Sequence, residues 1–243
     1  MTRRRWIADE VSGDVAVLTG RNAEHLSRVL RARIGQQFEV ATGDGVRLGE
    51  IVQIEPERVV FSLSNAQISA EDARTLTVHL YLAIFKFDRF EWAVEKCTEL
   101  GVTDIVPVIA ARTDAYLTSA AKKRVERWRR IAHQASQQSR RDRPPEISNP
   151  EKLGKVIEAA PGWRIVLSEV ERGQSLLSLL KNCHELSLAV GPEGGWTSSE
   201  LDLFQSNDWS PASLGRTILR AETAATAALA ITQGAFQPSV SET

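Results

Sequence analysis

An apolar run that ends in a glycine loop and restarts as a capped helix limits the folds open to this chain of 243 residues. Leu186-Ser187-Leu188-Ala189-Val190 leads directly into Gly191-Pro192-Glu193-Gly194-Gly195, and Trp196-Thr197-Ser198-Ser199-Glu200 follows. A short apolar stretch bounded by glycine and proline has the pattern of a buried strand. Thr197 and Glu200 form a capping box, in which hydroxyl and carboxylate each satisfy a free backbone N–H at a helix start. Strand, tight loop and helix make the repeating unit of a parallel α/β sheet, and such sheets bind ligands at the carboxyl ends of their strands. Glycines at that point let a ligand approach the backbone closely. The loop has neither the Lys-Ser/Thr of a phosphate-binding P-loop nor a GxGxxG pattern. That argues against a nucleoside triphosphate enzyme, and by itself the loop is also compatible with a plain tight turn.

The alternation extends upstream. Leu76 to Phe85 is a strand-like run; Asp88 and Glu91 give a helix start of the Asp-x-x-Glu kind, and the helix would place Phe90, Val94 and Cys97 on one face before Gly101. Ile105 to Ile109 is the next strand, so the unit is βαβ with a right-handed crossover. A long helix from about Ser119 to Gln138 repeats Val125, Trp128, Ala132 and Ala135 on its apolar side, and Pro144-Pro145 bars its continuation. Arg164 to Leu167 supplies another strand.

The first 68 residues have a different grain. Strand-like runs occur at Arg5 to Asp9, Asp14 to Thr19, Phe38 to Thr42, Val46 to Ile54 and Val59 to Leu63, with the turn signal Gly43-Asp44-Gly45 between the third and fourth. One helix, capped by Asn22 and carrying Leu26, Val29 and Leu30, interrupts them. Short strands with tight turns suggest a small β-barrel. The expected division is therefore 1–68 barrel, 69–75 linker and 76–243 α/β domain.

Several function classes are disfavoured. The longest apolar candidate, Leu76 to Phe85, is far short of the roughly 20 residues needed to cross a bilayer. Met1 to Trp6 is basic but no apolar segment follows, so no signal peptide is expected and the site of action should be cytoplasmic. Two cysteines and four scattered histidines show no ligand spacing, so no metal site is expected and the thiols should be reduced packing residues. Net charge is −1, but it is unevenly placed. Between Ala121 and Pro145, nine basic residues (Lys122, Lys123, Arg124, Arg127, Arg129, Arg130, Arg140, Arg141, Arg143) face only Glu126 and Asp142. The lack of local acidic partners points to a polyanion-binding face, against the alternative of a solvated helix surface.

A second unusual segment is Leu214-Gly215-Arg216-Thr217-Ile218-Leu219-Arg220-Ala221-Glu222-Thr223, followed by a helix of small residues beginning at Ala224. Glu222 is either a helix N-terminal charge favoured by the dipole or a group with chemistry. Taken with Gly191 to Gly195, this segment resembles the paired signature of the bacterial small-subunit (16S) ribosomal RNA uracil-N3 methyltransferases, of the SPOUT superfamily. The resemblance extends through Lys96-Cys97-Thr98-Glu99-Leu100-Gly101-Val102, through Gln138 to Ile147 with Arg141, Arg143, Pro145 and Glu146, and to His25 with Val29-Leu30-Arg31. It covers nearly the whole chain. Two positions depart from it: Arg140 stands where the family usually has glycine, and Ala111, before Arg112, where it often has an acidic residue.

The resemblance implies an N-terminal PUA-like β-barrel and a trefoil-knotted parallel-sheet domain, a homodimer, and 16S rRNA of the small subunit as substrate. It implies S-adenosylmethionine as cofactor, held by Leu167, by Gly191, Pro192, Glu193, Gly194 and Gly195, and by Leu214, Gly215, Ile218, Leu219 and Arg220. Arg220 and Glu222 would be catalytic, with Glu222 taking or orienting the N3 proton and Arg220 stabilising the uracil oxygens. Arg28, Arg31, Arg33, Arg112, Arg141 and Arg143 would contact RNA. Methylation of another RNA or of a ribose 2′-hydroxyl, and a non-catalytic RNA-binding role, are the alternatives.

Overall fold

The structure, a computed structural model, describes residues 5–69, 76–180 and 184–236. These form two compact units, one built from the N-terminal segment together with Ser136–Arg143 and the other from the remainder. Most of the expected linker, 70–75, lies outside the described residues, as does Cys183; Ser69 ends a strand.

The N-terminal unit contains β1 (Trp6–Ile7), β2 (Glu10–Ser12), β3 (Val15–Thr19), α1 (Gly20–Glu24), β4 (Gln37–Ala41), β5 (Val46–Glu55) and β6 (Arg58–Ser69). The strands form one sheet in the order β1-β4-β5-β6-β3-β2, antiparallel except at β1–β4. The two edge strands do not pair with each other, so the expected barrel is a curled half-barrel. Trp6, Leu18, Leu26, Ile51 and Phe61 are buried in its centre.

The helix expected to start at Asn22 instead begins at Gly20, after Thr19 as N-cap, and widens into a π-turn at His25–Val29. The five-residue bond from Leu30 N–H to the His25 carbonyl (2.9 Å) rotates the chain out of α register. Leu26 is therefore buried, while Val29 and Leu30, expected beside it, are exposed.

In the same unit, Arg5 pairs with Glu39 and Asp142, and Arg140 pairs with Glu39. Burial raises the Glu39 pKa, but the hydrogen bonds from Arg140 and Arg5 outweigh it and leave the carboxyl below its usual range. Arg140 has φ +62°, the left-handed conformation that glycine adopts freely and other residues seldom do. The backbone conformation thus gives a reason for glycine at this position, and the ion pair with Glu39 offsets the strain of arginine there.

The second unit is a seven-stranded, wholly parallel sheet: β7 (Thr77–Ala83), β8 (Asp104–Ile109), β9 (Glu146–Ile147), β10 (Glu151–Lys152), β11 (Trp163–Leu167), β12 (Glu185–Val190) and β13 (Ser210–Ala212), ordered β10-β8-β7-β12-β11-β13 with β9 also on β8. Its helices are α2 (Phe87–Glu99), α3 (Ala115–Ala121), α4 (Val125–Gln138), α5 (Leu153–Val156), α6 (Leu176–Leu179), α7 (Ser198–Ser206) and α8 (Ala221–Ala235).

Strand alternation sends side chains to two cores. Val78, Leu80, Leu82, Ile165, Leu186, Leu188 and Val190 meet Phe90, Val94 and Cys97 of α2, Val125, Trp128 and Ala132 of α4, and Ala225, Ala228 and Leu229 of α8. Tyr81, Ala83, Val166 and Ala189 meet Leu153, Trp196, Phe204 and Trp209 on the other face. Helices on both faces are what an all-parallel sheet requires. Burial raises the Cys97 thiol pKa, as expected of a packing residue.

Two helix readings change. The expected helix from Ser119 to Gln138 is α3, a 3₁₀ turn at Lys122–Arg124, and α4. Asp88 does not cap α2, whose N-cap is Lys86, and Glu91 instead pairs with Arg127 at 2.7 Å and Arg124 at 3.4 Å. No helix among the described residues is long and apolar enough to cross a membrane.

Near the amino ends of the strands, His79 lies between two carboxylates, with Nδ1 2.5 Å from Asp104 Oδ2 and Nε2 3.2 Å from Glu185 Oε1. The hydrogen bond with Asp104 is the main cause of a pKa raised above 6.5, working against desolvation and aided by Glu185. A raised folded-state pKa stabilises the protein fully below the unfolded value, and that contribution is lost as pH climbs through the folded one. The wild-type urea midpoint should therefore fall relative to His79→Gln as pH rises above 6.5; a difference independent of pH would remove this pairing from the account.

Candidate active site at the carboxyl edge of the sheet

Three strand ends, Leu167 of β11, Val190 of β12 and Ala212 of β13, lie side by side at the carboxyl edge. The loops that leave them enclose a cavity of about 320 Å³. Its walls include Ser168 to Val170 from the first loop, Gly191 to Glu193 with Gly195 and Trp196 from the second, and Ser213 to Arg220 from the third. This is where a parallel sheet places a ligand.

Local chemistry fixes each loop. The capping box forms as the sequence implied: Thr197 Oγ1 accepts from the Glu200 N–H (3.3 Å), and Glu200 Oε2 accepts from the Thr197 N–H (2.8 Å). Glu200 Oε1 also accepts from the Ala111 N–H at 2.7 Å, fastening the chain after β8 to the start of α7. The Trp196 indole N–H donates to the Leu167 carbonyl (3.1 Å), folding the second loop back onto β11. A Cβ on Gly191 would stand 3.2 Å from that indole, and one on Gly195, at φ +69°, would stand 2.7 Å from Glu169 Oε1. At Gly195 the positive φ itself strains any side chain, whereas at Gly191 the indole would have to give by a few tenths of an ångström. The third loop is held at its root, where the Leu176 N–H donates to the Ser213 carbonyl (2.9 Å) and the Ser213 N–H to Gln174 (2.8 Å).

Of the residues expected to hold a cofactor, Leu167, Gly191, Pro192, Glu193, Gly195, Leu214, Gly215, Ile218, Leu219 and Arg220 all line the cavity. Gly194 does not; its carbonyl accepts from Arg112 Nη1 at 2.5 Å, so it supports the loop from behind. Arg112, expected at RNA, is thereby drawn into the loop, with a second bond to the Trp196 carbonyl at 3.3 Å.

Glu222 is 9% exposed in the first turn of α8 and is not part of the cavity wall, although its neighbours Arg220, Ala221 and Ala224 are. Its Oε1 lies 3.8 Å from Arg89 Nε, and its Oε2 is buried without a hydrogen-bond partner among the described residues. Arg89 donates to Glu193 at 2.7 Å and lines the cavity, so one guanidinium links the second loop to α8. The sequence pattern does not single out Arg89, which lies between Asp88 and Glu91. Nothing local marks it, because its partners are 104 residues away and further. Arg172 and Arg216 add positive charge to the wall, Glu169 negative.

The basic stretch is more compensated than its sequence suggests. Arg124 and Arg127 pair with Glu91, Arg129 with Glu126 and the Ile147 carbonyl, and Arg140 with Glu39. Two of those acids lie far away in sequence, which corrects the inference from missing local partners. Arg141 and Arg143 cluster with the N-terminal unit, and Arg28, Arg31 and Arg33 are exposed there. No group of metal-ligating side chains occurs among the described residues.

The RNA methyltransferase domain pattern matches residues 72–233, and the RNA methyltransferase PUA domain pattern residues 18–64. The ribosomal RNA small subunit methyltransferase E of Synechocystis sp. is 33% identical over 241 residues, 95% of this chain and 77% of that protein. The protein of the same name from Mycobacterium tuberculosis is 32% identical over 229 residues, 90% of this chain and 86% of its own. Among solved structures, the Neisseria gonorrhoeae ribosomal RNA small subunit methyltransferase E bound to S-adenosyl methionine has a TM-score of 0.84 at 27% identity, covering 96% of this chain and 97% of that one. A putative methyltransferase of Legionella pneumophila in complex with SAM gives the same values.

Proposed function

Because the chain belongs to the ribosomal RNA small subunit methyltransferase E family, we propose that it methylates N3 of a specific uridine in 16S ribosomal RNA, using S-adenosylmethionine. The observation that carries this reading is the cavity, whose walls are the very segments that the two sequence motifs encode.

The site suits the cofactor. A volume of about 320 Å³ falls in the range of roughly 300–1,000 Å³ typical of small-molecule sites. The cofactor carries a carboxylate, an ammonium and a sulfonium beside a flat base. Cavity residues of both signs (Arg89, Arg216 and Arg220; Glu169 and Glu193) stand near apolar Leu167, Leu214, Ile218 and Leu219. Gly191 and Gly195 leave the space that side chains would fill. When bound, S-adenosylmethionine supplies an electrophilic methyl group.

The chain must then remove the N3 proton and bear the charge that develops on the uracil oxygens. Glu222 offers a buried carboxylate oxygen in want of a donor, the role that an N3–H fills. Arg220 stands on the cavity wall as the cation for the oxygens. Residues 76–243 would form the trefoil-knotted SPOUT domain of a cytoplasmic homodimer, and 1–68 the PUA-like RNA-binding domain, with Arg28, Arg31, Arg33, Arg141 and Arg143 as phosphate contacts. The ion pairs of Arg124, Arg127, Arg129 and Arg140 make a moderate salt dependence the expectation.

The test is transfer of labelled methyl from S-adenosylmethionine to small subunits from cells lacking this protein, followed by nucleoside mass analysis. The expected product is 3-methyluridine. Label on ribose or another base would replace the acceptor assignment, and absence of label with RNA binding intact would leave a binding protein.

A further inference from the structure

One short segment of the N-terminal unit displays three large aliphatic side chains to solvent: Val29 is 64% exposed, Leu30 51% and Ile34 67%. The segment is held firmly. The Leu30 N–H donates to the His25 carbonyl (2.9 Å), Ala32 to Leu26 (3.1 Å) and Gly35 to Ile51 (2.8 Å). The Arg33 N–H donates to Gln36 Oε1 at 2.9 Å. The π-turn that pushes Val29 and Leu30 outward is a rare conformation that recurs at functional sites, and Arg31 beside it has φ +50°. Uncommon backbone is thus held in place by its surroundings while apolar groups face water, the opposite of what stability alone would select.

Charge identifies what covers the patch. Arg28, Arg31 and Arg33 alternate with the aliphatic residues and are exposed. Arg28 has a solvent-exposed i,i+4 partner in Glu24 at 2.7 Å, whereas Arg31 and Arg33 have no ion-pair partner among the described residues. Cations interleaved with small apolar wedges fit a ligand that is both anionic and apolar-faced, which describes nucleic acid whose bases are unstacked. In a duplex, stacking hides those faces.

We propose that Val29, Leu30 and Ile34 pack against exposed base faces of unpaired RNA while Arg31 and Arg33 take the flanking phosphates. The proposal rests on the reading of this chain as an RNA methyltransferase, and it supplies a need of that reading: N3 lies on the Watson–Crick edge, so the target uridine must be unpaired.

The experiment uses the full-length protein and two probes, an RNA hairpin whose unpaired loop carries 2-aminopurine and a fully paired duplex of the same composition. The wild type should prefer the hairpin and raise the 2-aminopurine fluorescence. The triple variant Val29→Ser, Leu30→Ser, Ile34→Ser should lose hairpin affinity by roughly ten-fold or more, together with the fluorescence change, at an unaltered salt slope. The double variant Arg31→Gln, Arg33→Gln should instead flatten the slope of log K against log salt by about 1.4. Cofactor affinity, measured by calorimetry, should match wild type in both and so report an intact fold. A triple variant that keeps hairpin affinity and preference overturns the proposal. So does one whose oligomeric mass falls while RNA binding persists, since the patch would then be a protein contact. Methyl transfer by the wild type, run in parallel, reports separately on the enzymatic reading.

Discussion

Glu222→Gln is expected to slow single-turnover methyl transfer to small ribosomal subunits by about 10²–10⁴-fold, the usual worth of a positioned general base, with cofactor affinity unchanged. Glutamine keeps the shape and one acceptor oxygen, so the α8 turn should survive; what it loses is the charge that lets an oxygen take a proton. Glu222 Oε1 has only a distant cation, Arg89 Nε at 3.8 Å, and Oε2 has no hydrogen-bond partner among the described residues. A buried acceptor left in that state costs about 1–3 kcal/mol, and an incoming N–H would relieve it. Calorimetry separates the outcomes: a rate loss at unchanged cofactor Kd belongs to the chemical step, whereas weakened cofactor binding would give Glu222 a structural part through Arg89. Full-rate methylation by the variant across pH would remove Glu222 as the base and leave ionisation of uracil without one.

What the sequence disclosed, it disclosed where the cause was local. The run from Leu186 to Val190 is a strand because its residues are apolar and flanked by breakers, and the Thr197–Glu200 box closes because its members are three residues apart. The segments from Gly191 and from Leu214 could be joined into one site because a strand end predicts a ligand edge and because together they resemble a known signature. Periodicity also placed Val125, Trp128, Ala132 and Ala135 correctly on the buried side of α4. A trefoil knot would have no such local cause, and its expectation rests on resemblance alone.

The misses have the complementary cause. Arg89 acquires meaning only when folding brings Glu193 and Glu222 to it. The basic stretch looked uncompensated because Glu39 and Glu91 approach it only in three dimensions. The return of Ser136–Arg143 to the N-terminal unit likewise depends on Arg5, Glu39 and Asp142 meeting across more than a hundred residues of sequence. The helix expected from Asn22 departs for another reason: Leu26, Val29 and Leu30 have helical spacing, but a one-residue widening at His25–Val29 turns two of them to solvent.

Trp128→Ala should destabilise the protein by about 3–5 kcal/mol, as truncation of a buried aromatic residue does, and lower the urea midpoint by roughly 1 M or more. Trp128 is fully buried, with its ring centroid 4.5 Å from that of Phe90 and 6.2 Å from that of Phe87. Its indole N–H has no hydrogen-bond partner among the described residues, so its contribution is packing, and Trp128→Phe should lose only part of it. The effect should reach the site before the chain unfolds. Phe87 and Phe90 flank Arg89 in the first turns of α2, and Arg124 closes the stack with its guanidinium 4.8 Å from the Phe87 ring centre. A void at Trp128 would loosen the packing of Phe87 and Phe90, the neighbours of Arg89 on the helix that carries it towards Glu193 and Glu222. Under fully native conditions the alanine variant should therefore bind S-adenosylmethionine more weakly than the phenylalanine variant, as measured by calorimetry. If both bind as wild type does while the alanine variant unfolds early, the aromatic stack would support the fold without positioning Arg89.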